Sequence, residues 1–291
     1  MESYHHALYP ATGPMPEEGP KVVPAATIII FRKGRDSTAP EFLMVQRAKE
    51  MRFAGGAAVF PGGRVDPSDR DLAARLAPYD DQEIAASKVA GIRETLEEAG
   101  LVIAMRQPVS AEEAREARKM LFAEENLAPV LERFGWEPDL DALGYFAHWC
   151  PAMDKAFDTR FFVHDIGTGA VDIAVDATEN TRLFWTSAQN ALDMLERGEI
   201  SLIFPTMRNV ERLALFADIS EAIAHAEAHP PQRMAAKRET IDGEDFVTIP
   251  EGRGYPVTRQ SVADARRGGT PFKNVFERKD ESRSGNDQPS R

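Results

Sequence analysis

The chain has 291 residues, 43% of them hydrophobic, and a formal net charge of −12. That length supports one large domain or two small ones with a sizeable core, and a broadly anionic surface argues against routine binding to nucleic acid or to an acidic membrane. A single cysteine, Cys150, excludes an internal disulfide and a cysteine-based zinc site, and a reducing cytoplasm is the simplest expected setting.

Residues 1 to about 20 are rich in Pro and Gly and are expected to form a flexible segment. They show no basic patch followed by an apolar stretch, so no signal peptide is expected. No apolar run reaches membrane-spanning length, and the final Pro289-Ser290-Arg291 is not a peroxisomal address. Val22 to Phe31 is β-branched and apolar and reads as a buried strand. After a turn over Gly34 to Pro40, Glu41 to Arg47 reads as its hairpin partner. Ala57 to Gly63 is a third strand that ends in a sharp Pro-Gly-Gly break. Asp66 to Tyr79 is polar and reads as irregular, with Pro67 and Pro78 as breakers.

A helix is predicted from about Asp81 to Ala99, with Asp80 as N-cap, Glu83 as its capping-box partner and Gly100 as the stop. Ser110 to Phe134 reads as helical and highly charged, an insertion expected to cover a site. Gly144 to Pro151, Thr159 to Ile166 and Arg182 to Thr186 read as strands. Ser187 caps a helix ending at Gly198, and Ile200 to Phe204 is short and apolar. Pro205-Thr206 opens a further helix, with helical signal to about Ala228. Asp245 to Pro250 reads as a late strand. The order of strands, helix, strands, helix predicts an α/β chain of α+β type, a mixed β-sheet sandwiched between helices with helical insertions. The domain is expected to span 21–258, with insertions at about 66–80 and 105–140, followed by a mobile polar tail over 259–291.

The chemistry concentrates in Gly91 to Gly100, GIRETLEEAG. At about 100° per residue, Ala85, Val89, Ile92, Leu96 and Ala99 form one apolar stripe. Glu94, Glu97 and Glu98 fall opposite, facing away from the core. A solvated acidic face is the ordinary reading of such a pattern. The spacing i, i+3, i+4 instead brings three carboxylates within reach of one hard cation. The Pro61-Gly62-Gly63 break offers backbone carbonyls nearby, and Mg²⁺ or Mn²⁺ prefers such oxygens.

Arg93-Glu94-Thr95-Leu96-Glu97-Glu98-Ala99-Gly100-Leu101 resembles the second half of the Nudix box, R-E-U-x-E-E-x-G-U, where U is a bulky aliphatic residue. Thr95 departs from it. Gly63 resembles the opening glycine, but 30 positions separate it from Arg93, about sixteen more than the pattern has. The intervening glutamate of the pattern has no clear equivalent; Asp69 keeps its spacing from Gly63 and is assigned no role. An insertion at this point is like the large coenzyme A diphosphatase-like branch. Leu43 to Ala48, Arg52, Gly56 and Phe60-Pro61-Gly62-Gly63 also resemble that branch's signature L-L-T-x-R-[SA]-x3-R-x3-G-x3-F-P-G-G, with Met44 and Val45 as departures. HWCPAMDKAFDTRFF and LIFPTMRNVERL look like the same branch. The resemblance covers about Val22 to Asp218.

The resemblance implies a Mg²⁺- or Mn²⁺-dependent enzyme cleaving the diphosphate of a nucleotide conjugate, with coenzyme A or acyl-CoA first. ADP-ribose, NADH or a nucleotide sugar is the alternative substrate, and a non-catalytic Nudix-fold binding or regulatory module the alternative role. It implies Glu97 and Glu98 as metal ligands, with the Gly62 carbonyl as a further one. Glu94 is either a third ligand or the base, and Glu179 is a candidate base outside the box. Arg93 is read as pairing with Glu97 at i+4, which would orient a ligand carboxylate. Arg47 and Arg52 are candidates for substrate phosphates, arginine being suited to bidentate oxygen contacts. The partner implied is a small nucleotide diphosphate; no nucleic-acid or membrane partner is expected, and the oligomeric state, a homodimer included, stays open. His225 and His229 lie at i, i+4 without a third ligand and are read as structural. Gly167 and Gly169 read as a turn. Trp149 and Phe161 read as core, with stacking on an adenine as the alternative.

Overall fold

The computed structural model describes residues 21–33, 39–48, 56–151, 155–167 and 180–267. Strands β1 (Val23–Lys33) and β2 (Pro40–Arg47) form the expected antiparallel pair, with Phe31 opposite Phe42. The third strand is broken at Pro61 into β3 (Ala58–Val59), which pairs with β2, and β4 (Gly62–Arg64), which pairs with β1. Helix α1 (Pro67–Leu76) follows, then α2 (Gln82–Ala99), α3 (Ala111–Glu124) and α4 (Leu127–Phe134). Strands β5 (Gly144–Trp149), β6 (Phe157–Asp165) and β7 (Asn180–Ser187) complete a seven-stranded sheet of order β3-β2-β1-β6-β5, with β4 on β1 and β7 on β2. The β1–β6 pair is parallel and the other pairs are antiparallel, so the sheet is mixed as expected.

Helices α5 (Ala188–Glu196), α6 (Phe204–Leu213) and α7 (Ile219–Ala228) come next. A second sheet of order β10-β9-β8 is made by β8 (Lys237–Ile241), β9 (Glu244–Thr248) and β10 (Arg259–Ser261), and α8 (Val262–Arg267) follows it. The start of the polar stretch after Arg259, expected to be mobile, is therefore ordered as β10 and α8. No helix among the described residues is long and apolar enough to cross a membrane.

Strand β1 explains why Val22 to Phe31 reads as a continuous apolar run. Ala26, Ile28 and Ile30 pack toward α2, and Ile29 and Phe31 pack toward α5 and α6. A strand covered on both faces has no polar side to alternate with. Ile28, Ile29 and Ile30 are all fully buried, each such side chain being worth about 1.5–3 kcal/mol. Gly91 lets α2 approach this strand, since a Cβ there would lie 2.4 Å from Ile28 Cδ1.

Several local expectations are corrected. Asp66 to Tyr79 is not irregular: Pro67 opens α1 at its first position, where a missing N–H does no harm, with Asp66 as N-cap. The N-cap of α2 is Asp81 rather than Asp80; its carboxylate accepts from Glu83 N and Ile84 N. Glu83 pairs instead with Arg70. The charged segment 110–134 is two helices, separated where Glu125 adopts φ 49° and Asn126 caps α4.

Candidate active site

Helix α2 was expected to turn its acids away from the core. Its second side is covered as well: Arg93 is 4%, Thr95 0% and Glu98 5% exposed. The cover comes from the β3–β4 corner and from α1. Thr95, which stands where the box pattern has an aliphatic residue, is buried with its hydroxyl unpartnered.

Arg93 organises the cluster. Its Nε donates to Asp69 Oδ1 and its Nη2 to Asp69 Oδ2, both at 3.0 Å. Nη2 also donates to the Arg64 carbonyl at 2.9 Å. Nη1 donates to Glu97 Oε2 at 3.2 Å and lies 3.0 Å from Glu94 Oε1. The i+4 contact with Glu97 is thus present, but the bidentate partner is Asp69, 24 positions away. Asp69 is itself 1% exposed and accepts from Asp66 N at 2.8 Å. Sequence reasoning passed over it; its retained spacing from Gly63 was the available signal. Burial works against the charge of Arg93, and the Asp69 hydrogen bond and the fields of Glu94, Asp69 and Glu97 outweigh it and raise its pKa.

The Gly62-Gly63 corner meets the acids directly. Gly62 N donates to Glu98 Oε2 at 2.9 Å. The Glu94 carboxylate lies against Gly63, where an added Cβ would come within 2.3 Å of Oε1. Burial pushes the Glu94 carboxyl up to about 8, Arg93 pulls it back, and the neighbouring Glu98 and Glu97 add to the rise. Burial likewise raises the Glu97 pKa against the pull of Arg93.

These donors suit a hard divalent cation. Asp66, Asp69, Glu94 and Glu97 share the charge of Arg93, and burial first, then the neighbouring Glu98 and Glu97, raises the Glu94 pKa. Among the described residues no group of three or more His, Cys, Asp or Glu side chains is arranged to hold a metal ion; Arg93 and Gly62 N hold Glu97 and Glu98 here.

Arg47 lies at the end of β2 beside the Gly56-Ala57 turn, its backbone N–H donating to Ala57 O at 3.0 Å. Its Nε is buried without a hydrogen-bond partner. Arg52 and Glu179 fall outside the described residues, as does Gly169. Trp149 (2% exposed) and Phe161 (4%) are core residues, and the Trp149 indole N–H donates to Tyr255 Oη at 3.0 Å; neither is a surface for stacking. His225 accepts from Arg212 and stacks on His229 with centroids 4.3 Å apart, a packing arrangement.

No family model matches the chain. It is 25% identical to the acyl-coenzyme A diphosphatase NUDT19 of Gallus gallus over 65% of its own length. The chain spans 66% of that relative. Its fold is similar to the crystal structure of a NUDIX hydrolase from Alicyclobacillus acidocaldarius, with TM-score 0.60 and 29% identity over 70% of this chain and 96% of that one. Sequence likeness and fold likeness reach the same place by separate routes, and the chain belongs to the Nudix hydrolase superfamily.

Proposed function

We propose that the chain is a divalent-cation-dependent diphosphatase acting on a nucleotide conjugate, with coenzyme A or an acyl-CoA as the leading substrate. The supporting observation is Glu94, packed against Gly63 beside Glu97 and Glu98 with its carboxyl pushed up to about 8. Glu94, Glu97 and Glu98 would hold Mg²⁺ or Mn²⁺. The bound cation supplies charge neutralisation of the diphosphate and acidification of a coordinated water.

The chain's own residues do the rest. Arg93, fixed by Asp69, orients Glu97 through its Nη1. Gly62 N holds Glu98. As the alternative to serving as a third ligand, Glu94 would be the base that takes the proton of the attacking water. Arg47, at the end of β2 with an unpartnered Nε, would contact a substrate phosphate. Water adds to one phosphorus, the P–O–P bond breaks, and coenzyme A would yield 3′,5′-ADP and a phosphopantetheine product with release of a proton. The acyl-coenzyme A diphosphatase relative supports this substrate class.

The test is incubation with Mg²⁺ or Mn²⁺ and coenzyme A, an acyl-CoA, ADP-ribose, NADH and UDP-glucose, with products separated by chromatography. Cleavage of the coenzyme A compounds is expected, abolished by chelator and lowered about 100-fold or more by Glu97→Gln. Preference for ADP-ribose, NADH or the sugar nucleotide would replace the substrate assignment. Turnover of nothing on the panel would favour the binding or regulatory module.

A further inference from the structure

Three of the last backbone carbonyls of α2 belong to Glu97, Glu98 and Ala99, and the last four carbonyls of any helix lack an intrahelical donor. Gly100 turns the chain away with φ 70° and its N–H bonds only the Leu96 carbonyl, at 3.0 Å. The last turn of α2 also carries no basic residue to meet the negative end of the helix dipole. The missing donors come from another element. Arg118 on α3 donates from Nε to Glu97 O at 3.0 Å, from Nη2 to Glu97 O at 2.6 Å and from Nη2 to Glu98 O at 3.3 Å. The two carbonyls it holds are those of two of the three carboxylates assigned to the cation.

We infer that Arg118 is a positioning residue: the helical segment between the acidic turn and β5 serves to clamp the backbone that carries Glu97 and Glu98. This rests on the reading of the site given above. Arg118 stands on a rigid base. Helix α3 is capped by Ser110, whose hydroxyl accepts from Glu113 N, and is anchored by Ala117 and Leu121, both fully buried. Its guanidinium lies 5.6 Å from the Phe122 ring centroid. Arginine fits this place because one planar fork reaches two successive carbonyls while bringing positive charge to a helix C-terminus. Ile92 and Leu96 hold α2 to the sheet independently. Loss of Arg118 therefore frees the last turn without releasing the helix, and the two carboxylates lose their common frame.

The experiment is Mn²⁺ titration of the full chain, followed by the electron paramagnetic resonance signal of free Mn²⁺, with thermal melting alongside. Arg118→Ala is expected to raise the Mn²⁺ dissociation constant about tenfold with little change in melting temperature. Arg118→Lys, which keeps the charge and one donor, is expected to recover part of the affinity. Arg75→Ala, which removes an exposed pair with Glu132 on the neighbouring helix, is expected to bind as wild type. Wild-type affinity in Arg118→Ala, or an equal loss in Arg75→Ala, overturns the inference and leaves the site reading standing. If the alanine variant does not fold, Arg118→Met, which keeps the length of the side chain and removes its donors, takes its place: a raised Mn²⁺ dissociation constant supports the clamp, and wild-type affinity overturns it. Wild-type protein that takes up no Mn²⁺ overturns the site reading and the inference together.

Discussion

Arg93 is 4% exposed and lies within ion-pair distance of Asp66, Asp69, Glu94 and Glu97. Asp69 is the partner that is equally buried, so its removal leaves a guanidinium with less compensation than its burial demands. Asp69→Ala is expected to destabilise the protein by about 3–5 kcal/mol in urea unfolding. An exposed pair such as Arg75–Glu132 should contribute under about 1 kcal/mol; a comparable effect at both positions would contradict this view of Arg93. Glu94 gives a pH signature. In metal-free protein its carboxyl is raised from 4.5 to about 8, so between those values the folded chain holds a proton that the unfolded chain has released. Stability then falls as pH rises through that window. Glu94→Gln removes the loss, and the metal-free variant is expected to gain on wild type by about 2 kcal/mol or more between pH 5 and pH 8. A stability difference flat with pH would show that the Glu94 carboxyl titrates normally.

The β3–β4 corner and α2 act as one unit, and the two glycines of the corner can be separated by experiment. Gly62 adopts φ 154°, and a Cβ there would lie 2.2 Å from Ala26 O and 2.7 Å from Thr27 Cα, both backbone atoms. Gly62→Ala is expected to destabilise by about 3 kcal/mol. The atoms nearest to a Cβ on Gly63 are those of the Glu94 carboxylate, the end of a side chain that can move. Gly63→Ala is expected to melt within a few degrees of wild type while losing about tenfold or more in turnover and Mn²⁺ affinity. Unchanged turnover in Gly63→Ala would separate Glu94 from the chemistry. At this scale the sequence was readable where periodicity and caps agree: β1, α2 and its stop at Gly100. Helix α1 was hidden because Pro67 reads equally as a breaker or as a first helical residue, and only the packing of Leu72 and Ala73 against α2 decides. Strand β8 was hidden because four of its five residues are exposed and offer no apolar alternation. The division of α3 from α4 was signalled by Asn126 as a cap, inside a segment whose helical composition is continuous.

Over the whole molecule, two apolar clusters lie on opposite faces of one mixed sheet, and the candidate site sits on the α2 face. The acidic composition reads differently once folded. The chain carries a net charge of −12, and Asp69, Glu94 and Glu97 form a concentrated group with Arg93 as its counterweight. The Nudix-box pattern located Glu94 and Glu97. It did not reveal that the insertion after Gly63 folds back as α1 and delivers Asp69 to Arg93, because that contact is set by tertiary packing across 24 positions. Nor did composition show that the later charged segment reaches the carbonyl end of α2 through Arg118. Both insertions thus reach the acidic turn, one through Asp69 to Arg93 and the other through Arg118 to the Glu97 and Glu98 carbonyls. The most direct measurement of the central claim is the anomalous diffraction of Mn²⁺ in crystals of the wild-type chain. The expected result is a peak bounded by the carboxylates of Glu94, Glu97 and Glu98 beside Gly62-Gly63; saturating Mn²⁺ with no peak there, or with its peak elsewhere on the molecule, would contradict it.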